Sequence, residues 1–211
     1  MIKLKLLIIG ATGPSGQHVV DRALKSGDTI TILARRPEAL RDLQGKVTII
    51  TGDATSHGVL VRAMKGQDAV IVTLGRGKSI RAKDLFTRAA KGVIGAAKLT
   101  GVTRLVWLSS FGVGDTFLDA TIVQKFMYRT LLRDLYINKE ASEKIIRESG
   151  LKWTIVYPTA LMNGPAKGIY RVSDRIKMKG APRINRADVA DFIHKAAHDD
   201  KWIRRNAVIT D

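Results

Sequence analysis

The 211-residue chain contains no cysteine. That excludes disulfides, thiolate catalysis and zinc–cysteine centres; no metal site is expected, and a reducing, cytoplasmic setting fits. Long apolar runs are also missing. None reaches the roughly 18–20 residues that a membrane span needs. No secretory signal is expected either, because Met1 leads directly into an aliphatic stretch. Acidic residues are scarce, 19 against 36 Lys and Arg, for a formal net charge of +17. A basic surface is the footprint of phosphate binding. The cations, however, are spread along the chain and no DNA-reading motif accompanies them. Solubility and steering of an anionic ligand are the expected roles, nucleic acid is not, and no membrane partner is expected. Only five prolines occur. No linker, repeat or low-complexity segment divides the chain, so one domain over 1–211 is expected.

What is present is concentrated near the start. Residues 3–16 read K-L-K-L-L-I-I-G-A-T-G-P-S-G. Leu6 to Ile9 form a continuous apolar run, as in a strand buried on both faces of a parallel sheet. After it, Val19, Val20, Ala23 and Leu24 recur at helical spacing. Gly10, Gly13 and Gly16 therefore sit where a strand turns into a helix, the context that a dinucleotide fingerprint requires. Gly10 allows the tight turn, Gly13 a close approach to pyrophosphate, and Gly16 close packing of helix on sheet. Backbone N–H groups of the first helical turn face the phosphates. Thr12 and Ser15 add hydroxyls. The spacing is G-x-x-G-x-x-G, not the commoner G-x-G-x-x-G; a ligand-free glycine turn is the plain alternative.

The strand–helix alternation then repeats. Thr29 to Ala34 reads as a second strand and ends in Arg35 and Arg36. At this position an acid would hold a free ribose 2′-hydroxyl, whereas arginine accommodates a 2′-phosphate. NADPH is accordingly expected over NADH, with simple surface charge as the alternative. A short helix is expected over 37–43 and a third strand over 47–51. Asp53 and Ala54 follow; Asp53 can accept from an adenine amino group or cap the next helix, expected to start near Ser56. Residues 69–73 form a fourth strand, with Leu74, Gly75 and Arg76 at its exit. A helix over 84–100 leads to a fifth strand, 104–108, that ends in Ser109 and Ser110. A long helical region is expected within 118–149, then a sixth strand, 152–157, stopped by Pro158. Residues 159–185 read as an irregular, basic, substrate-covering segment. A last helix, 186–199, and a last strand, 206–210, complete a doubly wound parallel α/β sheet.

Several stretches taken together carry a resemblance. They are G-A-T-G-P-S-G, the A-R-R after strand two, T-G-D-A, G-Q-D-A-V-I-V-T-L-G, the S-S after strand five, R-E-S-G-L-K-W-T-I-V-Y-P and R-I-N-R-A-D-V-A-D-F-I. The chain resembles the atypical short-chain dehydrogenase/reductases of the NAD(P)-binding, NmrA-like superfamily, and among them the flavin reductase and biliverdin-IXβ reductase group. The resemblance runs from the first strand to the last helix. It implies a Rossmann fold and an NADPH-dependent reductase that takes flavin as a substrate and accepts biliverdin or quinones. By motif position, the pyrophosphate falls to Gly10, Thr12, Gly13, Pro14, Ser15 and Gly16, and the 2′-phosphate to Arg35 and Arg36. Asp53 and Ala54 flank the adenine, and Leu74, Gly75 and Arg76 the centre. Ser109, Ser110, Tyr157, Pro158 and Thr159 line the nicotinamide end. The standard Tyr-x-x-x-Lys pair is broken: Leu135 stands four residues before Lys139, and Tyr136 three before it, a spacing that still returns to the same helix face and leaves Tyr136 open. Lys139 and Ser110 are the candidate catalytic side chains.

These features predict hydride transfer from NADPH to a small planar, anionic acceptor by a monomer or homodimer. Arg129, Arg133, Lys167 and Arg171 are the candidate steering cations. A non-catalytic NADPH sensor is the rival reading, because the binding residues are intact while the usual acid is missing.

Overall fold

Aliphatic runs of four to six residues, each followed by a turn, set the architecture. In the computed structural model, which describes residues 2–75 and 84–211, these runs become β1 (Lys5–Ile9), β2 (Thr29–Ala34), β3 (Thr48–Thr51), β4 (Ala69–Val72), β5 (Arg104–Leu108) and β6 (Lys152–Pro158). Short strands β7 (Ala160–Met162), β8 (Arg171–Ser173) and β9 (Arg183–Asn185) follow, and then β10 (Arg205–Thr210). The helices are α1 (Pro14–Ser26), α2 (His57–Met64), α3 (Leu85–Thr100), α4 (Ile122–Thr130), α5 (Arg133–Arg147) and α6 (Arg186–His198). The main sheet has eight strands in the order β3-β2-β1-β4-β5-β6-β10-β8. Its pairings are parallel except β8 on β10.

Alternate residues feed two cores. Leu7, Ile9, Val70, Val72, Leu105 and Trp107 point to the side covered by α2, α3 and α5. Leu6, Ile8, Ile30, Ile32, Ile71 and Val106 point to the side covered by α1 and α6. Both faces are thus apolar, which is why these strands read as runs rather than alternations. Strand order reverses between β1 and β4. The carboxyl ends of those strands open the crevice where ligands bind in such sheets.

Two expectations change. Residues 159–185 are not wholly irregular: β7 pairs with β9, and β8 extends the main sheet. Three-residue strands are too short to show a hydrophobic period. The helical region before residue 149 is also broken into a 3-10 turn (Gly114–Asp119), α4 and α5. Thr121 opens α4 through a capping box with Gln124.

At the opposite, amino end of the sheet, α6 is clasped to the start of β2. His194 and His198 both donate from Nε2 to one oxygen of Asp28, at 2.7 and 3.0 Å, while the Leu4 N–H takes the other oxygen. The trio has the donor types of a metal site. Both Nε2 atoms and both Asp28 oxygens are engaged in these bonds, while the buried His194 Nδ1 has no partner among the described residues; the trio lies at the sheet's far end from the crevice.

Candidate cofactor and active site

The three glycines divide into two kinds. Gly10 has φ +93°, and a Cβ there would lie 2.8 Å from the Thr73 carbonyl carbon. A Cβ on Gly16 would lie 2.2 Å from the Gly10 carbonyl oxygen. Both are demanded by the fold. Gly13 has φ −83°, and its Cβ would meet only the Gly10 oxygen, at 3.4 Å. Among the described residues nothing forbids a side chain there, which leaves room above Gly13 for a ligand to approach the backbone. Gly13 also starts α1 without a capping side chain and with no acid in the first turn. That helix end is left to an anion. Donors, dipole and clearance together fit a pyrophosphate.

Around this point the sequence-predicted residues fall at the carboxyl ends of the strands. Thr12 and Pro14 are exposed and Ser15 is buried. Arg35 and Arg36 project as exposed side chains just past β2. Asp53 follows β3 and accepts from the Thr55 hydroxyl at 2.7 Å and N–H at 2.8 Å. Those bonds, with Arg35 and Arg88 nearby, hold its carboxyl below the ordinary value. It therefore closes a turn on Thr55 and does not cap α2, whose N-cap is Ser56 with no side-chain cap bond. Ala54 is buried, Leu74 half-buried and Gly75 exposed at the exit from β4. Arg76 lies outside the described residues.

The other side of the crevice holds a cluster of buried titratable groups. Past β5, Ser110 is half-buried and its hydroxyl accepts from Lys139 Nζ at 2.7 Å. Burial of Lys139 on α5 pulls its ammonium down to about 8, opposed by Glu143 one turn on. The adjacent Ser109 is buried and donates to Glu143 at 2.5 Å. Glu143 also accepts from Tyr157 at 2.6 Å and Arg147 at 3.2 Å. Burial pushes the Glu143 carboxyl up. Two residues of α5, one turn apart, thus hold two consecutive serines.

Sequence reasoning missed Glu143. Its spacing of four from Lys139 was visible, but its burial was not. Tyr157 is buried with its hydroxyl on Glu143, and Thr159 is buried against Thr210. Both are held from behind the sheet end, and the Pro158 carbonyl accepts from the Phe111 N–H. Tyr136 does not replace the missing tyrosine, because its hydroxyl donates to the Phe111 carbonyl at 3.1 Å and its ring stacks on Tyr128. Burial raises its phenol out of the useful range. A cavity of about 310 Å³ adjoins the loop after β5, lined by Gly112, Phe117, Tyr128, Arg129 and Arg133. Of the four steering candidates, Arg129 and Arg133 reach it, whereas Lys167 is paired with Asp211 at 2.7 Å and Arg171 sits in β8.

A family model described as NAD(P)H-binding matches residues 10–200. The chain belongs to the NAD(P)H-binding family. It is 30% identical over 158 residues to the (4-alkanoyl-5-oxo-2,5-dihydrofuran-3-yl)methyl phosphate reductase of Streptomyces griseus, which covers 75% of this chain and 48% of that protein. The structure is similar to ChuY, an anaerobilin reductase from Escherichia coli O157:H7, with TM-score 0.81 and 25% identity over 97% of this chain and 96% of the other. It also shares its fold with a Veillonella parvula short-chain dehydrogenase/reductase solved with NADP, with TM-score 0.83 and 20% identity over 100% and 95% of the two chains. The chain is an NAD(P)H-dependent oxidoreductase with a Rossmann fold. Among the described residues, no helix is long and apolar enough to cross a membrane.

Proposed function

We propose that the protein is an NADPH-dependent reductase of planar acceptors such as FMN, biliverdin or a quinone. The Lys139–Ser110 pair carries this reading, because it sets a titratable proton against a half-buried hydroxyl just past the carboxyl end of β5. When bound, the nicotinamide supplies the hydride. The glycine turn and the α1 N-terminus hold the pyrophosphate, and Arg35 and Arg36 select the 2′-phosphate. The Ser110 hydroxyl orients the acceptor. The Lys139 ammonium, near 8, holds a proton that it can pass through that hydroxyl as the acceptor gains negative charge. This arrangement supplies an acid without the usual tyrosine. Arg129 and Arg133 favour acceptors with phosphate or carboxylate groups.

The similarity to an anaerobilin reductase supports a tetrapyrrole-sized acceptor. The test is NADPH oxidation followed by nicotinamide absorbance, with and without FMN, biliverdin and a simple quinone, and with NADH in parallel. Acceptor-dependent turnover that prefers NADPH is the expected result. Tight nucleotide binding with no turnover on any acceptor would overturn it.

A further inference from the structure

Helix α4 is built inside out. Ile122, Val123 and Phe126 are 87%, 79% and 72% exposed, and Leu131 at its end is 80% exposed. Met127 also faces outward. Positions 122, 123, 126, 127 and 131 share one side of a helix, so the stripe is continuous. Leu118, before the helix, and Ile137, after it, are exposed as well. The inward side is occupied: Tyr128 packs on Tyr136 and closes over Gly112. The stripe therefore points away from the cavity and is not a lid for it.

The charge on the helix itself is of one sign, with the exposed carboxylates Asp115, Asp134 and Glu140 lying beyond its two ends. No Asp or Glu occurs from 120 to 133, while Lys125, Arg129 and Arg133 do. Lys125 and Arg129 lie over the Phe117 ring. Met178 donates its N–H to the Asp119 carbonyl and brings Lys177 and Lys179 to the foot of the helix. An outward apolar stripe flanked by lysine and arginine is the pattern of a helix that lies in a lipid interface. A second copy is a poorer occupant. It would set like charges face to face on chains of net charge +17. A nine-residue helix also offers a footprint of only about 14 by 10 Å, small against the roughly 800 Å² per partner of a stable dimer.

We propose that α4 is an interfacial anchor that docks the protein on an anionic lipid surface, its apolar stripe inserted and the surrounding cations against the headgroups.

The test is vesicle flotation with the full chain, comparing phosphatidylcholine alone with phosphatidylcholine containing phosphatidylglycerol. Retention is expected on the anionic vesicles. The double variant Ile122→Ser/Phe126→Ser alters only exposed side chains, so its melting temperature and NADPH binding should be unchanged. Its vesicle partitioning is expected to fall about tenfold or more. A Phe126→Trp variant should show a blue-shifted emission component and quenching by brominated lipid. Equal retention of the double variant would mean bulk charge attraction without insertion and would overturn the proposal. Failure to bind any vesicle, together with concentration-dependent dimerisation lost in the double variant, would overturn it in favour of a second copy. NADPH binding with no vesicle binding would sink the anchor and leave the reductase reading standing.

Discussion

Lys139 Nζ is held 2.7 Å from the Ser110 hydroxyl, at the end of a central strand and beneath a half-open surface. A buried lysine near 8 is charged at neutral pH and gives up its proton readily. If it is the acid, turnover falls as pH rises through about 8. Lys139→Met should lower kcat about 100-fold and remove that alkaline limb. The melting temperature should hold or rise, because burial opposes the charge that is lost. Steady-state rates across pH and a thermal melt check both parts.

Glu143 supplies the negative charge that keeps Lys139 from falling further. Glu143→Gln removes that charge while preserving most of the volume. The alkaline limb should shift to lower pH, with nucleotide affinity unchanged. Glu143→Ala is the harsher change. It leaves Ser109, Tyr157 and Arg147 without their shared acceptor and should cost about 3 kcal/mol in chemical denaturation.

Arg35 and Arg36 stand at the tip of β2, and neither forms a salt bridge among the described residues. If they clamp the 2′-phosphate, Arg35→Ala/Arg36→Ala should raise Kd for NADPH at least about tenfold and leave Kd for NADH nearly unchanged. Titration of nucleotide fluorescence at low salt measures both. An equal loss for the two nucleotides would make the arginines general attractors rather than selectors.

Gly13 and Gly16 give opposite expectations for the same substitution. In Gly16→Ala, the new methyl meets the Gly10 carbonyl at 2.2 Å, so α1 must move off the sheet. That should cost about 1–3 kcal/mol in stability. In Gly13→Ala, the methyl has room, and stability should change by a few tenths of a kcal/mol. Its effect should fall on pyrophosphate instead, with NADPH affinity reduced tenfold or more. Denaturation and binding measured on both variants separate the two roles.

The same contrast explains what was legible in the sequence. Gly10, Gly13 and Gly16 each answer a local constraint at a fixed offset from a strand end, so their spacing could be read directly. The runs at 6–9, 69–72 and 105–108 were legible because burial on both faces leaves no polar interruption. The partnership of Ser109 with Glu143 was not legible, since it joins residues 34 apart whose pairing depends on how α5 crosses the sheet. Nor was the exclusion of Tyr136. Its spacing from Lys139 suits a shared face, but its hydroxyl is taken by the Phe111 carbonyl. The break between α4 and α5 was hidden because the apolar stripe of α4 faces outward, and a period alone does not say which side is covered.

The clasp between Asp28 and α6 makes an acid-sensitivity prediction. Burial holds the His194 imidazole below its ordinary value of 6.5, helped by the charges of His198 and Arg22 and opposed by Asp28. Around that pH the unfolded chain therefore binds more protons than the folded one, so stability falls as pH drops through about 6.5. Burial opposes the Asp28 charge, yet the Leu4 N–H and the two imidazoles hold its carboxyl below 3.8. Its contribution is present above 3.8 and is lost at still lower pH, so the two groups act in the same direction in separate windows. Lys195 pairs with Asp191 on the same helix, and Arg22 of α1 does likewise; these bonds keep their charge across the upper window. Melting temperature measured from pH 8 to pH 5 should decline for the wild type. His194→Gln keeps a donor for Asp28 without a titrating ring and should flatten that decline at the cost of a lower plateau. A profile of unchanged slope in the variant would place the acid sensitivity elsewhere in the molecule.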